Sequence, residues 1–306
     1  MPKLILVTFL AAILTIIAIE TVFERQYKGT KDWLREIVIN DNSDAPTFDN
    51  IGDCTLDSVE VVPTKSTAII GHAYGDPIAP GDFVSPQVQS FIRENHAYLE
   101  NVLFTGDVIA DPSTAKWKQL IEFSQEIGVK FHIAPGNHDV GIGDNSRRDI
   151  WNETPFQLPD DDLKIVQAAG FSFAFEDSIS TGWQIDPNVI EKLSKIELDG
   201  PLVVLRHNVA IQEMEIIANS NAGRRGPLPT LENLSRLLPS GTVVISGDAG
   251  AFETKPRFAC AQKNNVTFIA NGVGGINGDL VLIASEGKLF IHSLDQFLDS
   301  PSAMEE

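Results

Sequence analysis

The sequence is poor in cysteine and in basic residues, and each shortage excludes a class of protein. Cys54 and Cys260 are the only cysteines, and no C-x-x-C pattern occurs, which argues against a zinc knuckle or a dithiol redox centre. The two thiols form a disulfide or stay free and buried, and their spacing does not decide which. Lysine and arginine number 23 against 42 acidic residues, for a net charge of -19. Such a charge repels polyanions, so we expect no nucleic-acid partner.

Internal repeats and low-complexity tracts are absent, and only one long apolar run occurs, from Leu4 to Ile19. We expect an N-terminal hydrophobic helix there, within residues 1–23. It would be a retained signal-anchor, a cleaved signal peptide or, as a third interpretation, a buried core helix. In the first case the protein is membrane-anchored with its domain outside the cytoplasm, and in the second it is secreted or periplasmic.

The remaining sequence divides into three parts by its composition. Residues 24–65 are polar and weakly periodic, which is typical of a linker or N-terminal extension. The whole chain is 43% hydrophobic, and residues 66–298 are expected to form one catalytic domain. Residues 299–306 are expected to form an acidic tail.

Within the domain, five short apolar runs stop abruptly at polar residues. The polar residues of interest at these stops are His72, Asp107, Asn137, His207 and Asp248. Apolar runs of this kind predict strands buried on both faces, and helical patterns lie between them. The predicted helices cover Pro86–Leu99, Ser113–Ile127, Pro187–Lys195 and Leu228–Leu238.

This alternation predicts an α/β fold in which the polar stops converge, because ligands in such sheets bind outside the carboxyl ends of the strands. Residues 265–294 contain further short apolar runs joined by turns. We expect them to form closing strands in a second sheet that packs on the first.

Two of the polar stops carry a family resemblance: Gly106-Asp107, and then Gly136-Asn137-His138-Asp139. In order and approximate spacing, over most of the chain, the sequence resembles the calcineurin-like metallophosphoesterases. Their signature is D-x-H, GD, GNH(D/E), a lone histidine and G-H-x-H, each at a strand end. The resemblance implies a four-layer α/β/β/α sandwich with two metals at one edge. It also implies hydrolysis of a small phosphate mono- or diester by metal-activated water.

Carried over position by position, the resemblance implies a role for each of five residues. Asp107 would be the bridging carboxylate, while Asn137 and His207 would be ligands of the second metal. His138 would stabilise the phosphoryl group or protonate the leaving oxygen, and Asp139 would orient the ring of His138. Oxygen and imidazole ligands suit divalent manganese, iron or zinc. Taken singly, each residue also has a structural interpretation as a helix cap, a turn residue or a core histidine.

The first and last elements depart from the family pattern. Where the family has D-x-H, this chain has His72 and Tyr74, or His72 alone in another register. Where the family has G-H-x-H, Asp248 replaces the first histidine and Gly250 replaces the second. Asp248 can supply an oxygen ligand, whereas Gly250 has no side chain to offer. We therefore expect one well-formed metal site, with ligands Asp107, Asn137, His207 and Asp248, and a second that is weakened or absent.

Other candidates and other functions stay open. Arg147, Arg148, Arg224 and Arg225 are candidates to bind a substrate anion, or else lie in solvated loops. The alternative function is that of a degenerate family member, weak or inactive, which serves as a binding or assembly module at the cell envelope. A serine esterase is disfavoured because Val108 follows Asp107, where that chemistry needs a nucleophile.

Overall fold

The computed structural model describes residues 54–143, 145–159, 163–182, 184–195, 198–214, 227–249 and 257–297. The expected N-terminal hydrophobic helix, Arg224, Arg225 and Gly250 lie outside these residues. Within them, no helix is both long enough and apolar enough to span a bilayer.

Twelve strands are present in the described part of the chain. In chain order they are β1 (Asp57–Ser58), β2 (Ser66–Ile70), β3 (Leu99–Phe104), β4 (Lys130–Ile133), β5 (Lys164–Ala168), β6 (Phe171–Phe175), β7 (Leu202–Arg206), β8 (Val243–Ser246), β9 (Phe258–Lys263), β10 (Val266–Asn271), β11 (Leu280–Ser285) and β12 (Lys288–Ser293). They form two six-stranded sheets. Sheet 1 has the order β1-β12-β11-β2-β3-β4, and sheet 2 has the order β5-β6-β7-β8-β10-β9.

Helices connect the strands where the chain crosses over. They are α1 (Pro86–Asn95), α2 (Thr114–Ile127), α3 (Asn137–Val140), α4 (Asn145–Asn152), α5 (Pro187–Leu193), α6 (Leu231–Leu237) and a short 3₁₀ helix (Asp295–Phe297). The hydroxyl of Ser85 accepts from the backbone N–H of Val88 and begins α1, and the hydroxyl of Ser113 begins α2 in the same way. Gly128 ends α2 in the left-handed conformation that glycine adopts most easily.

Among the described residues, three apolar clusters hold the sheets and helices together. The first lies between sheet 1 and helices α1 and α2, where Ile70 and Phe104 meet Phe91 and Trp117. The second lies between sheet 2 and helices α5 and α6. The third lies between the two sheets. It includes strand side chains that point to the other face of the sheet, such as Ile69, the neighbour of Ile70 on β2. Strands therefore bury both faces, with helices on the outer face of each sheet, which confirms the predicted α/β class.

Parallel pairing brings the carboxyl ends of the central strands to one edge. In sheet 1, β2, β3 and β4 are parallel, and in sheet 2, β6, β7, β8 and β10 are parallel. The two edges meet, since the backbone N–H of Val273, after β10, donates to the carbonyl of Gly71, after β2, at 3.0 Å. The polar stops of both sheets therefore belong to one region.

The predicted placement of the closing strands is wrong in part. β10 lies in sheet 2, but β11 and β12 belong to sheet 1, where Leu282 pairs with Ile69. The glycine-rich turn at residues 272–278 carries the chain from one sheet to the other. An apolar run does not reveal its pairing partner, so the crossing is not visible in the sequence.

The cysteines form a disulfide between Cys54 and Cys260, which have Cα atoms 5.4 Å apart. This decides between the two alternatives that their spacing leaves open. Cys54 precedes β1 at the edge of sheet 1, and Cys260 lies in the edge strand β9 of sheet 2. The bond therefore ties the edges of the two sheets together.

Candidate functional site

Side chains from four strand ends meet around the carboxylate of Asp107. Its Oδ2 lies 3.4 Å from Nε2 of His207 and 3.8 Å from Nε2 of His72. Nε2 of His207 also lies 3.2 Å from Oδ1 of Asn137. The structure therefore brings together His72, Asp107 and Asn137 from sheet 1 with His207 from sheet 2.

Backbone carbonyls fix how the two histidines present their rings. Nδ1 of His207 lies 3.1 Å from the carbonyl of Thr105, and Nδ1 of His72 lies 3.1 Å from the carbonyl of Gly75. Because a carbonyl only accepts, each Nδ1 carries the hydrogen. A neutral ring then turns the lone pair of Nε2 towards Asp107. In that neutral form two nitrogen lone pairs and a carboxylate oxygen face one another, a repulsion that a proton on a ring or a bound cation removes.

The donor chemistry of this cluster fits a divalent metal. Imidazole nitrogens whose other nitrogen is held by a carbonyl, together with a carboxylate, are ligands that manganese, iron and zinc accept. In the described part of the chain, no group of three or more His, Cys, Asp and Glu side chains could hold an ion as it stands. The fit therefore depends on the orientation of lone pairs, not on a completed coordination shell.

The electrostatics of the site favour positive charge at its centre. Burial alone would raise the pKa of Asp107, but the imidazoles of His207, His138 and His72 lower it. Burial opposes a charge on His207, yet Asp107 and Asp248 raise its pKa. Burial raises the pKa of Asp248 to about 6, although His207 works against this. The carboxylates thus attract a cation to the place where His207 meets Asp107.

Glycines allow the strand ends to approach one another this closely. A Cβ at Gly106 would lie 2.5 Å from Nδ1 of His207, and a Cβ at Gly136 would overlap the carboxylate of Asp107. Real Cβ contacts do not reach such distances. The glycines of the Gly-Asp and Gly-Asn-His-Asp elements therefore make room for the two side chains that meet.

Asp139 has a role different from the expected one. Nδ1 of His138 hydrogen bonds to the carbonyl of Ala110 at 2.8 Å, so that carbonyl, not Asp139, orients the ring. The Asp139 carboxylate is fully buried and accepts from the backbone N–H groups of Gly136 and Asp107, at 2.9 and 2.8 Å. It accepts further from Val108 and Ile109. The expectation that Asp139 orients His138 is wrong, because its oxygens are taken by the loop that carries Asp107.

His138 and Tyr74 lie beside the cluster. The backbone N–H of His138 donates to Oδ1 of Asp107 at 2.9 Å, which places the residue at the edge of the carboxylate. The ring of Tyr74 is 3% exposed and packs against the rings of both His72 and His138, with centroids 4.3 and 5.1 Å apart. Tyr74 therefore lies between the two histidines.

Asp248 joins the site through its neighbours. Its backbone N–H donates to the carbonyl of His207 at 2.9 Å. Its Oδ2 accepts from Nδ2 of Asn208 at 3.3 Å, and Asn208 in turn contacts Ser178. Sequence reasoning missed Asn208 and Ser178. The position of Asn208, directly after His207, was the one signal that could have found it.

The two described arginine candidates already have partners. Arg147 donates to the carbonyl of His138 at 2.9 Å and pairs with Asp111 at 3.3 Å. Arg148 pairs with Asp177 at 2.5 Å and lines a cavity of about 560 Å³. Arg147 thus supports the element that carries His138, and a role of either arginine in binding an anion stays a prediction.

Comparison with known proteins gives structural similarities only. The sequence matches no protein-family profile and no curated protein. A purple acid phosphatase from seeds of yellow lupin (Lupinus luteus) is similar over 80% of this chain, at 13% identity and a TM-score of 0.47. The chain spans 56% of the length of that enzyme.

Two cold-active protein-tyrosine phosphatase structures are similar at lower scores. One, from a psychrophilic Shewanella species, is 13% identical over 78% of this chain and 81% of its own, with a TM-score of 0.36. The other, a single-residue mutant, is 14% identical over 83% of this chain and 85% of its own, with the same TM-score of 0.36.

Proposed function

We propose that this chain is a metal-dependent phosphoric ester hydrolase of the calcineurin-like metallophosphoesterase type, with the corresponding four-layer sandwich. The observation that carries the proposal is the arrangement of acceptors around Asp107. Nε2 of His207 and Nε2 of His72 face the same carboxylate oxygen, at 3.4 and 3.8 Å. Such a group of acceptors, buried where the two sheets meet, is stabilised by positive charge between them.

The ligands would be Asp107, Asn137, His207 and Asp248, with manganese, iron or zinc as the metal. A bound ion would supply an activated water and neutralise charge on a phosphate. The second site would keep only His72, Tyr74 and the shared Asp107. We expect it to be weak, because Tyr74 packs its ring against two histidines and a phenol ionises near pKa 10.

His138 acts on the substrate from the side of the cluster. Its Nδ1–H donates to the carbonyl of Ala110, which leaves Nε2 to carry the proton that is transferred. When protonated there, the ring can stabilise a phosphoryl oxygen or protonate the leaving oxygen. The substrate would be a small phosphate mono- or diester, since the net charge of -19 disfavours a polyanion.

The protein would act outside the cytoplasm, bound to the membrane through residues 1–23 or released if that segment is cleaved. The disulfide between Cys54 and Cys260 supports this location, because disulfides persist in oxidising compartments.

Hydrolysis of an aryl phosphate by the full chain tests the proposal. We expect turnover with added manganese, iron or zinc, one tightly bound ion per chain by calorimetry, and loss of turnover on chelation. His138→Ala should lower kcat by about 100- to 10,000-fold while the ion still binds, because His138 acts as an acid and not as a ligand. His96→Ala, which removes an exposed histidine of a hydrogen-bonded turn, is the matched control and should leave kcat unchanged.

The outcomes separate the two candidate functions. No turnover with any of the three metals, but tight binding of an ion, would favour the degenerate binding module. The observation that favours this alternative is the ring of Tyr74, which packs against His72 and His138 where the family carries a metal ligand. Neither turnover nor binding would contradict the proposal as a whole.

A further inference from the structure

A chain of buried hydrogen bonds leads from Ser178, after β6, to Asp248, after β8. Asn208, after β7, lies between them and is fully buried, as is Ser178. The hydroxyl of Ser178 donates to Oδ1 of Asn208 at 3.1 Å, and Nδ2 of Asn208 donates to Oδ2 of Asp248 at 3.3 Å. Three neighbouring strand ends of sheet 2 are thereby connected through side chains.

The orientation of the Asn208 amide is fixed by its partners. The backbone N–H of Asn208 donates to the oxygen of Ser178 at 3.1 Å, so the single hydroxyl hydrogen is available for Oδ1. A flipped amide would turn Oδ1 towards the Asp248 carboxylate and place two acceptors in contact. Nε of Arg206 also donates to the carbonyl of Asn208 at 2.7 Å, which holds the backbone. One arrangement of these groups is therefore preferred.

This arrangement holds one oxygen of Asp248, Oδ2, in place. Oδ2 is held by Asn208, whereas no hydrogen bond to Oδ1 occurs within the described residues. The backbone of Asp248 is joined to His207, whose Nε2 faces Asp107. An aspartate is shorter than the histidine that the related motif carries at this position, so the orientation of its carboxylate decides whether an oxygen reaches the metal.

We propose that Asn208 is a positioning residue, which holds Asp248 so that Oδ1 stays available as a metal ligand, and that Ser178 sets the orientation of the Asn208 amide. The inference rests on the proposed function, because it requires a metal at this site. Groups that orient metal ligands typically change metal affinity by about 10- to 100-fold when they are removed.

Manganese binding to the full chain, freed of metal by chelation, tests the inference. Calorimetry and electron paramagnetic resonance give affinity and ligand environment without any measurement of activity. We expect Asn208→Leu to weaken manganese binding by about 10- to 100-fold, because the free carboxylate adopts several orientations. Ser178→Ala should weaken it in the same direction by a smaller factor, and it preserves the Asn208 amide should the first variant fail to fold.

Asn101→Leu is the matched control, since it removes another buried asparagine amide, which donates to Thr67 at 3.4 Å and lies away from the site. It should lower thermal stability without changing manganese affinity. Asn208→Leu and Ser178→Ala proteins that are less stable but bind manganese as tightly as the parent would overturn the inference and leave the proposed function intact. A parent chain that binds no manganese, iron or zinc would overturn both.

Discussion

Two residues of the site adopt a backbone conformation that is unfavourable for their type. Asp107 has a φ of 55° and His72 a φ of 53°, in the left-handed region that glycine favours. Such conformations cost about 1–3 kcal/mol each and persist where surrounding contacts determine them. In Asp107 those contacts include the carboxylate of Asp139, which accepts its backbone N–H. Strain at these two positions agrees with a functional role for the cluster.

Asp139→Asn tests whether this carboxylate supports the Asp107 loop. Asparagine keeps the shape but turns an NH₂ group towards backbone N–H donors that now pair with oxygen. We expect the free energy of unfolding to fall by about 1–3 kcal/mol, the usual cost of unsatisfied buried donors, and manganese affinity to fall with it. Denaturant titration and calorimetry measure the two effects.

Asp279→Asn is the control for Asp139→Asn. Asp279 is buried and accepts from the backbone N–H groups of Gly274, Gly275 and Ile276, at 2.9, 2.7 and 3.1 Å. Its substitution should cost comparable stability with a smaller loss of metal affinity. Equal losses of affinity in the two variants would show that Asp139 has no special connection to Asp107.

Residue types at the strand ends could be predicted from the sequence, but their partners could not. The motif order indicates His72, Asp107, Asn137 and His207, and the structure brings these together. The error about Asp139 arose because a carboxylate next to a histidine in sequence need not face it. A short helix begins at Asn137 and turns the two side chains in different directions.

At the scale of elements, strong apolar runs were predictable and weak ones were not. The apolar sequences of β7 and β8 predict buried strands. β5 is only partly buried and carries Lys164 and Gln167, so its sequence has no clear apolar run that would predict a strand. A predicted helix was too long where a capping residue lies inside the predicted helical range. Thr230, for example, accepts from the N–H of Asn233 at 3.2 Å, so α6 begins at Leu231 and not at Leu228.

The contact of β12 with α1 and the 3₁₀ helix predicts a dependence of stability on pH. His292 on β12 packs against Phe91 and Phe297, and its Nδ1–H donates to the carbonyl of Val59 at 3.0 Å. Its Nε2 is buried with no hydrogen-bond partner among the described residues. Burial lowers the pKa of His292, against the opposing effect of the Val59 carbonyl.

The direction of this dependence follows from which state binds the proton. Below the unfolded pKa of about 6.5, the unfolded chain binds a proton that folded His292 does not, so the free energy of unfolding decreases as pH falls. His292→Phe removes this contribution, and its slope between about pH 5 and 7 should be shallower by up to about 1.4 kcal/mol per pH unit. Denaturant titrations at several pH values measure it, and identical slopes would contradict the prediction.

At the scale of the whole molecule, two sheets have to stay in register for one site to exist. His207 of sheet 2 must meet Asp107 of sheet 1, and the sheets join at the site end through backbone bonds such as that of Val273 with Gly71. Elsewhere the apolar cluster between the sheets holds them together. The disulfide adds a covalent tie between their edges, which no sequence pattern indicated beyond the presence of two cysteines.

Removal of that tie should destabilise the whole domain and not only one edge. Cys54 and Cys260 are 206 positions apart, so the bond restricts a large part of the unfolded chain. We expect Cys54→Ala with Cys260→Ala to lower the free energy of unfolding by about 2–5 kcal/mol, mainly because the unfolded state gains entropy. Equilibrium denaturation of the parent and the double variant measures the difference.

Reduction supplies the control for this prediction. Dithiothreitol should lower the stability of the parent and leave the double variant unchanged, since the latter has no thiols. A loss of stability on reduction that occurs in the parent alone measures the effect of the disulfide. It excludes the effect of lost packing at Cys260, which lies in the cluster between the sheets, because reduction leaves the cysteine side chain in place. Equal stability of the oxidised and reduced parent would contradict the prediction. Free thiols in protein isolated from its native compartment would also contradict the proposed location, because a compartment that keeps Cys54 and Cys260 reduced is not an oxidising one.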